Sequence, residues 1–290
     1  MRSDPSRRLG AHASIWAPTW DHRGAREATS QAAEAGFSFI EIPLLDPLSI
    51  DVTDTIQVLD AAELSCTCSL GLPADAHLPT APDKALAFLQ TAIDVAHDLG
   101  SEWVTGALYG NLGTFTEAPP SRDELETVAS TLREAANFAA ERDMNLGIEV
   151  INRYETYLLN TSDQAVALLE QMDVPNAYVH LDTFHMNIEE SSFSEAIHRV
   201  GSRLGYVHLA ESHRGALGEG RIPFEEIVTA LAAIGYSGPL VVEAFLNAPP
   251  ALKAVTATWT DHGLSAERFA ATSFAHMTAL MGDRTGSAEA

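Results

Sequence analysis

The chain has little of what would place it in several common classes of protein. Its 290 residues include two cysteines, Cys66 and Cys68, so a disulfide framework is excluded, and we interpret both as small fillers of one buried strand rather than as thiols lining a barrel. Only two of its 17 basic residues are lysines, and the net charge of −23 argues against nucleic acid or an anionic membrane as a partner. No apolar run approaches the roughly 18 residues of a membrane span, and the N-terminus has no signal-peptide pattern. We therefore expect a cytoplasmic protein.

What the chain does have is a regular alternation of strand-like and helix-like segments. Apolar residues make up 46% of the sequence, which is enough for a large core. The strand-like runs are 9–15, 37–43, 64–70, 102–108, 144–150, 176–182, 203–209 and 238–244. The main helix-like segments are 24–35, 51–63, 82–99, 121–142, 162–172, 191–200, 223–234 and 264–281. Eight such units predict an α/β fold with a parallel sheet, namely a single (β/α)8 TIM barrel spanning residues 1–290, with frayed tails at 1–8 and 282–290.

Four polar residues end four of the apolar runs, each one βα unit after the last: Glu149, Asp182, His208 and Glu243. A parallel barrel carries its chemistry at the C-terminal ends of its strands, and the alternation along each strand turns all four inward together. A lone carboxylate would more often be an ion-pair partner, but three carboxylates in one place need a compensating cation. Carboxylate oxygens suit Mg²⁺ or Mn²⁺, and the imidazole favours Mn²⁺ or Co²⁺, so we expect a divalent-metal site with Mn²⁺ as the first choice.

The positions of two of these residues indicate a reaction. Glu149 and Glu243 come from strands on opposite walls of the predicted barrel. A metal ion that binds two adjacent oxygens of a hydroxy-ketone would acidify the neighbouring C–H bond. One glutamate could remove that proton, and the other could return a proton from the opposite face. This arrangement predicts epimerisation through an enediolate.

Three segments, 149–155, 180–190 and 208–215, together resemble the ketose 3-epimerases, which are xylose-isomerase-like TIM barrels. The second segment reads His-Leu-Asp-Thr-Phe-His-Met-Asn-Ile-Glu-Glu, a very specific string, and the match extends over nearly the whole chain. Shorter matches at 42–47, 69–72 and 106–109 are most similar to the D-allulose and L-ribulose branch of the D-tagatose, D-allulose and L-ribulose 3-epimerases. The family resemblance implies a free ketose as substrate and a homodimer or homotetramer.

The resemblance also implies a role for individual residues. The metal ligands would be Glu149, Asp182, His208 and Glu243, of which Glu149 and Glu243 would be the acid–base pair at C3. The remaining substrate-binding residues would be Glu155, His185 and Arg214 at the O1 and O2 end, Trp16 and Phe245 as walls of the sugar site, and Ser69 and Leu108. Departures from some relatives at His12, Ser69 and 109–113 all lie where C4 to C6 should bind, so they leave the preferred ketose open.

Three other functions remain open at this point. An aldose–ketose or hydroxypyruvate-type isomerase on the same barrel would move a proton between C1 and C2 with similar ligands. A metal-dependent hydrolase of abasic DNA would need more histidine ligands and a basic groove, which the charge of −23 disfavours. A catalytically inactive sugar-binding protein would be expected to lose one of the two glutamates. The segment 245–262 is interpreted either as a loop or short helix over the barrel mouth or as a subunit contact.

Overall fold

Eight parallel strands close into a barrel in the computed structural model, which describes residues 9–260 and 263–282. Each strand pairs with the next in sequence, and the last strand pairs with the first. This topology confirms the predicted (β/α)8 barrel. The strands are β1 (Leu9–His12), β2 (Phe39–Pro43), β3 (Ser65–Gly71), β4 (Trp103–Ala107), β5 (Asn145–Val150), β6 (Ala177–Asp182), β7 (Leu204–Leu209) and β8 (Leu240–Val242).

Ten α-helices lie in the described part of the chain, and the long ones alternate with the strands. They are α1 (His22–Ala35), α2 (Val52–Ala62), α3 (Pro82–Asp98), α4 (Arg122–Ala140), α5 (Ser162–Met172), α6 (Thr183–Glu189), α7 (Phe193–Val200), α8 (Phe224–Ala233), α9 (Pro250–Val255) and α10 (Ala266–Gly282). None of these helices is long and apolar enough to cross a membrane. Gly282, which was expected to begin a frayed tail, is the last residue of α10, and the predicted tails 1–8 and 283–290 lie outside the described residues.

Local sequence signals start and stop the helices. The Thr161 hydroxyl accepts the backbone N–H of Gln164, whose side chain reciprocates, so a capping box opens α5. Pro82 is the first residue of α3, where its missing N–H costs nothing. Gly36 ends α1 with a φ of 98°, a left-handed conformation that glycine adopts without strain. These signals fix where the helices between the strands begin and end.

The two faces of the strands differ as the alternation predicts. Outward-facing residues such as Ile148 and Leu181 are buried under the helices. Inward-facing Phe39, Tyr206 and Val241 form a small apolar cluster inside the barrel, with Trp103 packed against it. Because successive side chains alternate, His208, two residues after Tyr206 on β7, also faces inward and lies nearer to the C-terminal ends of the strands. The corresponding residue after Val241 is Glu243, which follows the last residue of β8.

Three elements differ from the sequence-based expectation. β1 ends at His12 rather than at residue 15, because the His12 ring accepts the backbone N–H of Ser14 and begins a short 3₁₀ turn, Ala13–Ile15. β8 ends one residue before Glu243, whose backbone N–H still bonds to the carbonyl of Leu209 at 3.0 Å. Helix α6 was not predicted, and it begins directly after β6.

Candidate active site

The four polar residues predicted at the strand ends lie together inside the barrel. Asp182, His208 and Glu243 each offer a ligand atom within 4.8 Å of the other two, and Glu149 belongs to overlapping groups with His208 and with Asp182. Nδ1 of His208 lies 3.1 Å from Oε1 of Glu243 and 3.7 Å from Oε1 of Glu149. All four side chains are buried. The structure therefore places them as a cation site would require, while their roles stay predictions.

Two atoms of this cluster lack a hydrogen-bond partner. Oδ1 of Asp182 accepts the backbone N–H of Phe184 at 2.7 Å and thereby caps α6, but Oδ2 is buried without a partner. Nδ1 of His208 is likewise buried without one. An unpaired buried polar atom costs free energy, and a cation between a carboxylate oxygen and an imidazole nitrogen would satisfy both. The donor set of oxygens and one nitrogen thus fits a divalent ion.

The surroundings push the pKa values of the two glutamates in opposite directions. Burial raises the pKa of Glu149 to about 7. Burial also opposes ionisation of Glu243, but the charges of His208 and Arg214 outweigh it and hold the pKa of Glu243 well below its usual value. For His208, the carboxylates of Glu41 and Glu243 outweigh the effect of burial and raise the pKa well above its usual value. Two carboxyl groups beside one imidazole thus differ in proton affinity.

Arg214 brings a buried positive charge to this cluster. Its Nη1 donates to Oε2 of Glu243 at 2.5 Å, and its guanidinium lies 4.1 Å from the ring centre of Phe184 and 4.7 Å from that of Phe245. Its backbone has a φ of 55°, in the left-handed region. The buried carboxylate of Glu211 accepts backbone N–H groups from 212 and from 220–222, which closes the loop that holds Arg214 in place.

The amide of Asn152 connects Glu155 and His185, the two residues that were predicted together with Arg214 to bind the O1 and O2 end of the substrate. Its Oδ1 accepts the backbone N–H of Tyr154 at 2.9 Å, so its Nδ2 must point the other way. Nδ2 donates to Oε1 of Glu155 and to Nδ1 of His185, both at 2.8 Å. Nε2 of His185 then lies 3.6 Å from Oδ2 of Asp182 and 3.7 Å from Oε1 of Glu149. Burial lowers the pKa of His185 well below its usual value, so the ring is neutral, with its proton on Nε2.

A cavity opens above the cluster, and the structure places most of the predicted substrate-binding residues on it. Ser69 and Phe245 line it, and so does His12, whose ring meets that of Phe245 edge-on at 5.7 Å. Its other lining residues from the predicted set are Glu149, Glu155, His185, His208, Arg214 and Glu243. Leu108 is fully buried and the wall near it is formed by 106–107, while Trp16 packs edge-on against Phe37 instead. Neither Leu108 nor Trp16 is among the residues that line this cavity, and their substrate contacts stay predictions.

The segment 245–262 contains the short helix α9, and it contributes to the mouth of this cavity. Leu252 and Thr256 line the cavity beside Phe245. This matches the expectation of a loop or short helix over the barrel mouth, up to residue 260, since 261–262 lie outside the described residues. A contact between subunits of a homodimer or homotetramer stays a prediction.

His180 is a histidine of the barrel interior, and one of its two ring nitrogens has a hydrogen-bond partner. Nδ1 lies 2.7 Å from Oγ1 of Thr105, and the ring packs 4.1 Å from that of His208. Nε2 is buried without a hydrogen-bond partner, and burial lowers the pKa of His180 well below its usual value. The ring is therefore a neutral neighbour of the cluster.

Sequence reasoning missed two residues of the site. Glu41 lies inside the barrel with Oε2 2.9 Å from Nε2 of His208. It was detectable, because it is a single carboxylate within the apolar run Phe39–Pro43, the same signal that identified Glu149. Asn152 lies within the segment 149–155, but nothing in its spacing indicates that it contacts His185.

A sequence profile of the xylose isomerase-like TIM barrel family matches residues 30–261. The chain belongs to this family. Among its relatives in the family, an L-ribulose 3-epimerase of Methylomonas sp. (strain DH-1) is 40% identical over 259 residues, which cover 87% of this chain and 90% of the relative. A ketose 3-epimerase of Arthrobacter globiformis is 37% identical over 88% of this chain and 90% of the relative.

A solved structure agrees with the fold described above. The D-allulose 3-epimerase of Methylomonas sp. in complex with D-allulose superposes with a TM-score of 0.91 at 37% identity, covering 94% of this chain and 96% of that one. The resemblance to ketose 3-epimerases that the motifs predicted is therefore confirmed.

Proposed function

We propose that this protein is a divalent-metal-dependent isomerase that inverts C3 of free ketoses. The observation that carries the proposal is that Glu149 and Glu243 both line one cavity and both lie close to the same atom, Nδ1 of His208, at 3.7 and 3.1 Å. Two carboxyl groups beside one reacting carbon suit proton removal and proton return. The names of the relatives, which are ketose 3-epimerases, support the same reaction.

The substrates would be the pairs D-allulose and D-fructose, D-tagatose and D-sorbose, or L-ribulose and L-xylulose. The solved relative that contains D-allulose supports the first of these pairs. The cation would be held by Glu149, Asp182, His208 and Glu243, and Mn²⁺ suits that donor set best, with Mg²⁺ or Co²⁺ as alternatives. When bound, it would supply Lewis-acid polarisation of the substrate carbonyl and so weaken the C3–H bond.

Three residues of the chain would hold the O1 and O2 end of the ketose. His185 presents a neutral ring whose Nε2–H points into the site, so it can donate to a hydroxyl or carbonyl oxygen. Arg214 lines the cavity as a further donor, and the carboxylate of Glu155 can accept a hydroxyl hydrogen. Because these side chains are buried, water has little access to the reacting atoms.

The proton transfer would use the two glutamates in turn. One carboxylate takes the C3 proton, and the electron pair of the C–H bond moves into a C2–C3 double bond as the C2 oxygen gains charge. The other glutamate, in its protonated form, gives a proton to the opposite face of C3, and the carbonyl forms again. Atoms and charge balance without any oxidant or reductant. The configuration of the substrate at C3 decides which glutamate acts first.

The test is an incubation in D₂O. Metal-free protein is given D-fructose, D-allulose, D-tagatose or L-ribulose with and without Mn²⁺, and the sugars are separated from protein and metal before NMR. We expect metal-dependent formation of the C3 epimer with deuterium at C3. Aldose products would assign the chain to the aldose–ketose isomerases instead, and no conversion of any ketose would overturn the proposal.

A further inference from the structure

Glu41 lies inside the barrel at the back of the proposed metal site. It belongs to β2, is fully buried, and pairs in register with His12 of β1 and Thr67 of β3. Its two carboxylate oxygens lie 2.9 and 3.1 Å from Nε2 of His208. It does not line the cavity in the described part of the chain, so it is out of reach of a substrate there.

The contact between Glu41 and His208 decides which ring nitrogen of His208 is available. A carboxylate accepts hydrogen bonds, so the nitrogen that faces Glu41 carries a proton. That nitrogen is Nε2, and the opposite nitrogen, Nδ1, faces Glu243 and Glu149 without a hydrogen-bond partner. The lone pair that a metal ion needs can therefore be presented only by Nδ1.

We propose that Glu41 is a positioning residue that holds the His208 ring with Nδ1 toward the cation and so raises the affinity of the site for a divalent metal. The inference rests on the proposed metal-dependent function. A histidine ligand that donates its other N–H to a carboxylate is better oriented and more basic, and removal of such a partner typically weakens metal binding about 10- to 100-fold.

A second set of contacts fixes Glu41 itself. The hydroxyl of Tyr206 donates to Oε2 of Glu41 at 2.5 Å, and Oγ1 of Thr67 lies 2.7 Å from the same hydroxyl. Tyr206 is fully buried and packs against the ring of His180 at 4.9 Å. Tyr206 and Thr67, which do not line the cavity, therefore hold Oε2 of the carboxylate in one orientation, and on its other side Oε1 lies 3.7 Å from Nε2 of His12, a residue of the cavity wall. A support that is fixed in this way is preorganised.

The experiment compares the affinity for Mn²⁺ of the parent protein and of Glu41→Gln, measured by competition with a chelating dye. Glutamine keeps the shape of the side chain but removes its charge. We expect affinity to fall about 10- to 100-fold, with turnover largely recovered at saturating Mn²⁺. The matched control is Glu190→Gln, since Glu190 is a nearly buried carboxylate that bonds to the backbone of Ser162 and lies beside Arg199. The Glu190→Gln protein should bind Mn²⁺ with the same affinity as the parent protein.

The outcomes separate this inference from the proposed function. Equal Mn²⁺ affinity of Glu41→Gln and parent would overturn the role of Glu41, while metal-dependent turnover of the parent would leave the proposed function standing. Absence of Mn²⁺ binding by the parent would overturn both. If Glu41→Gln does not fold, ¹⁵N NMR of the parent with diamagnetic Mg²⁺ gives the answer: a protonated Nε2 of His208 supports the inference, and a protonated Nδ1 overturns it.

Discussion

Nδ2 of Asn152 donates a hydrogen bond to Nδ1 of His185 over 2.8 Å. The backbone N–H of Tyr154 occupies the amide oxygen of Asn152, so the amide has one orientation only. His185 must therefore accept through Nδ1 and carry its proton on Nε2, the nitrogen that faces the cavity. A single amide thus turns a neutral histidine into a hydrogen-bond donor toward the substrate.

Exchange of Asn152 for aspartate tests this relationship. The side chain keeps its size, but it can no longer donate to His185 and it places a second negative charge beside Glu155. Loss of a buried donor costs about 1–3 kcal/mol, so we expect kcat/KM for the ketose to fall about tenfold to a hundredfold. Steady-state kinetics at saturating Mn²⁺ provide the measurement.

A matched control for that substitution lies at the opposite end of the barrel. Asn176 donates its amide to the carbonyls of Ala136 and Met144, far from the cavity lining. Asn176→Asp should lower stability and leave kcat/KM of the folded protein unchanged. Equal kinetic losses in both variants would show that Asn152 matters for folding alone.

The two-glutamate scheme predicts distinct behaviour for Glu149→Gln and Glu243→Gln. Each variant lacks one of the two proton-transfer groups, so epimerisation should fall at least about 10²-fold, in line with general acid–base contributions. The remaining glutamate can still exchange the C3 proton with solvent from its own face. In D₂O, NMR should therefore detect deuterium at C3 without inversion for one C3 epimer of each pair. Full epimerisation by either variant would rule out the scheme.

Metal removal should lower thermal stability as well as activity. A ligand at 100 times its Kd stabilises the folded state by about 2.7 kcal/mol. For a chain of this size that corresponds to a rise in Tm of roughly 4 °C. Calorimetry of chelator-treated protein with and without Mn²⁺ measures the shift.

The variant Asp182→Asn should lose most of this rise in Tm with Mn²⁺, because Oδ2 of Asp182 is the buried oxygen left without a partner. An undiminished rise in Tm in that variant would remove Asp182 from the ligand set.

Stability at acid pH should depend on the ion pair of Glu189 with Arg153. Nη2 of Arg153 donates to Oε2 of Glu189 at 2.6 Å. Burial opposes ionisation of Glu189, but the hydrogen bonds from Arg153 outweigh it and lower the pKa of Glu189 below its ordinary value of 4.5. A lowered pKa in the folded state adds stability above the unfolded pKa, and this is lost as the pH falls through the folded pKa.

The measurement for this ion pair is the Tm of the parent and of Glu189→Gln as a function of pH. The parent should have the higher Tm at pH values above 4.5, and the two curves should converge as the medium becomes more acidic. A difference in Tm that stays constant down to the lowest pH would mean that the charge of Glu189 contributes nothing.

Most of the fold could be predicted because its signals are local. Apolar runs, proline at helix starts and glycine at helix ends lie within a few residues of the structure that they specify, as at Pro82 and Gly36. Helix α6 escaped prediction because it has only seven residues and because its N-cap is Asp182, a residue already interpreted as a ligand. The early end of β1 was missed because it depends on the ring of His12, which resembles any strand residue in sequence.

The (β/α)8 barrel and the clustering of Glu149, Asp182, His208 and Glu243 follow from sequence alone. Side chains alternate along a strand and parallel strands run in one direction, so inward-facing residues at the ends of the strands meet at the C-terminal end of the barrel. Which of their atoms face the site depends on contacts that form only in the folded protein. The partner that orients His208 is Glu41, which lies 167 residues away in the chain, and no local pattern connects strands two and seven. Hydrogen bonds between distant strands choose the tautomers and the free oxygens, and those bonds exist only once the barrel has closed.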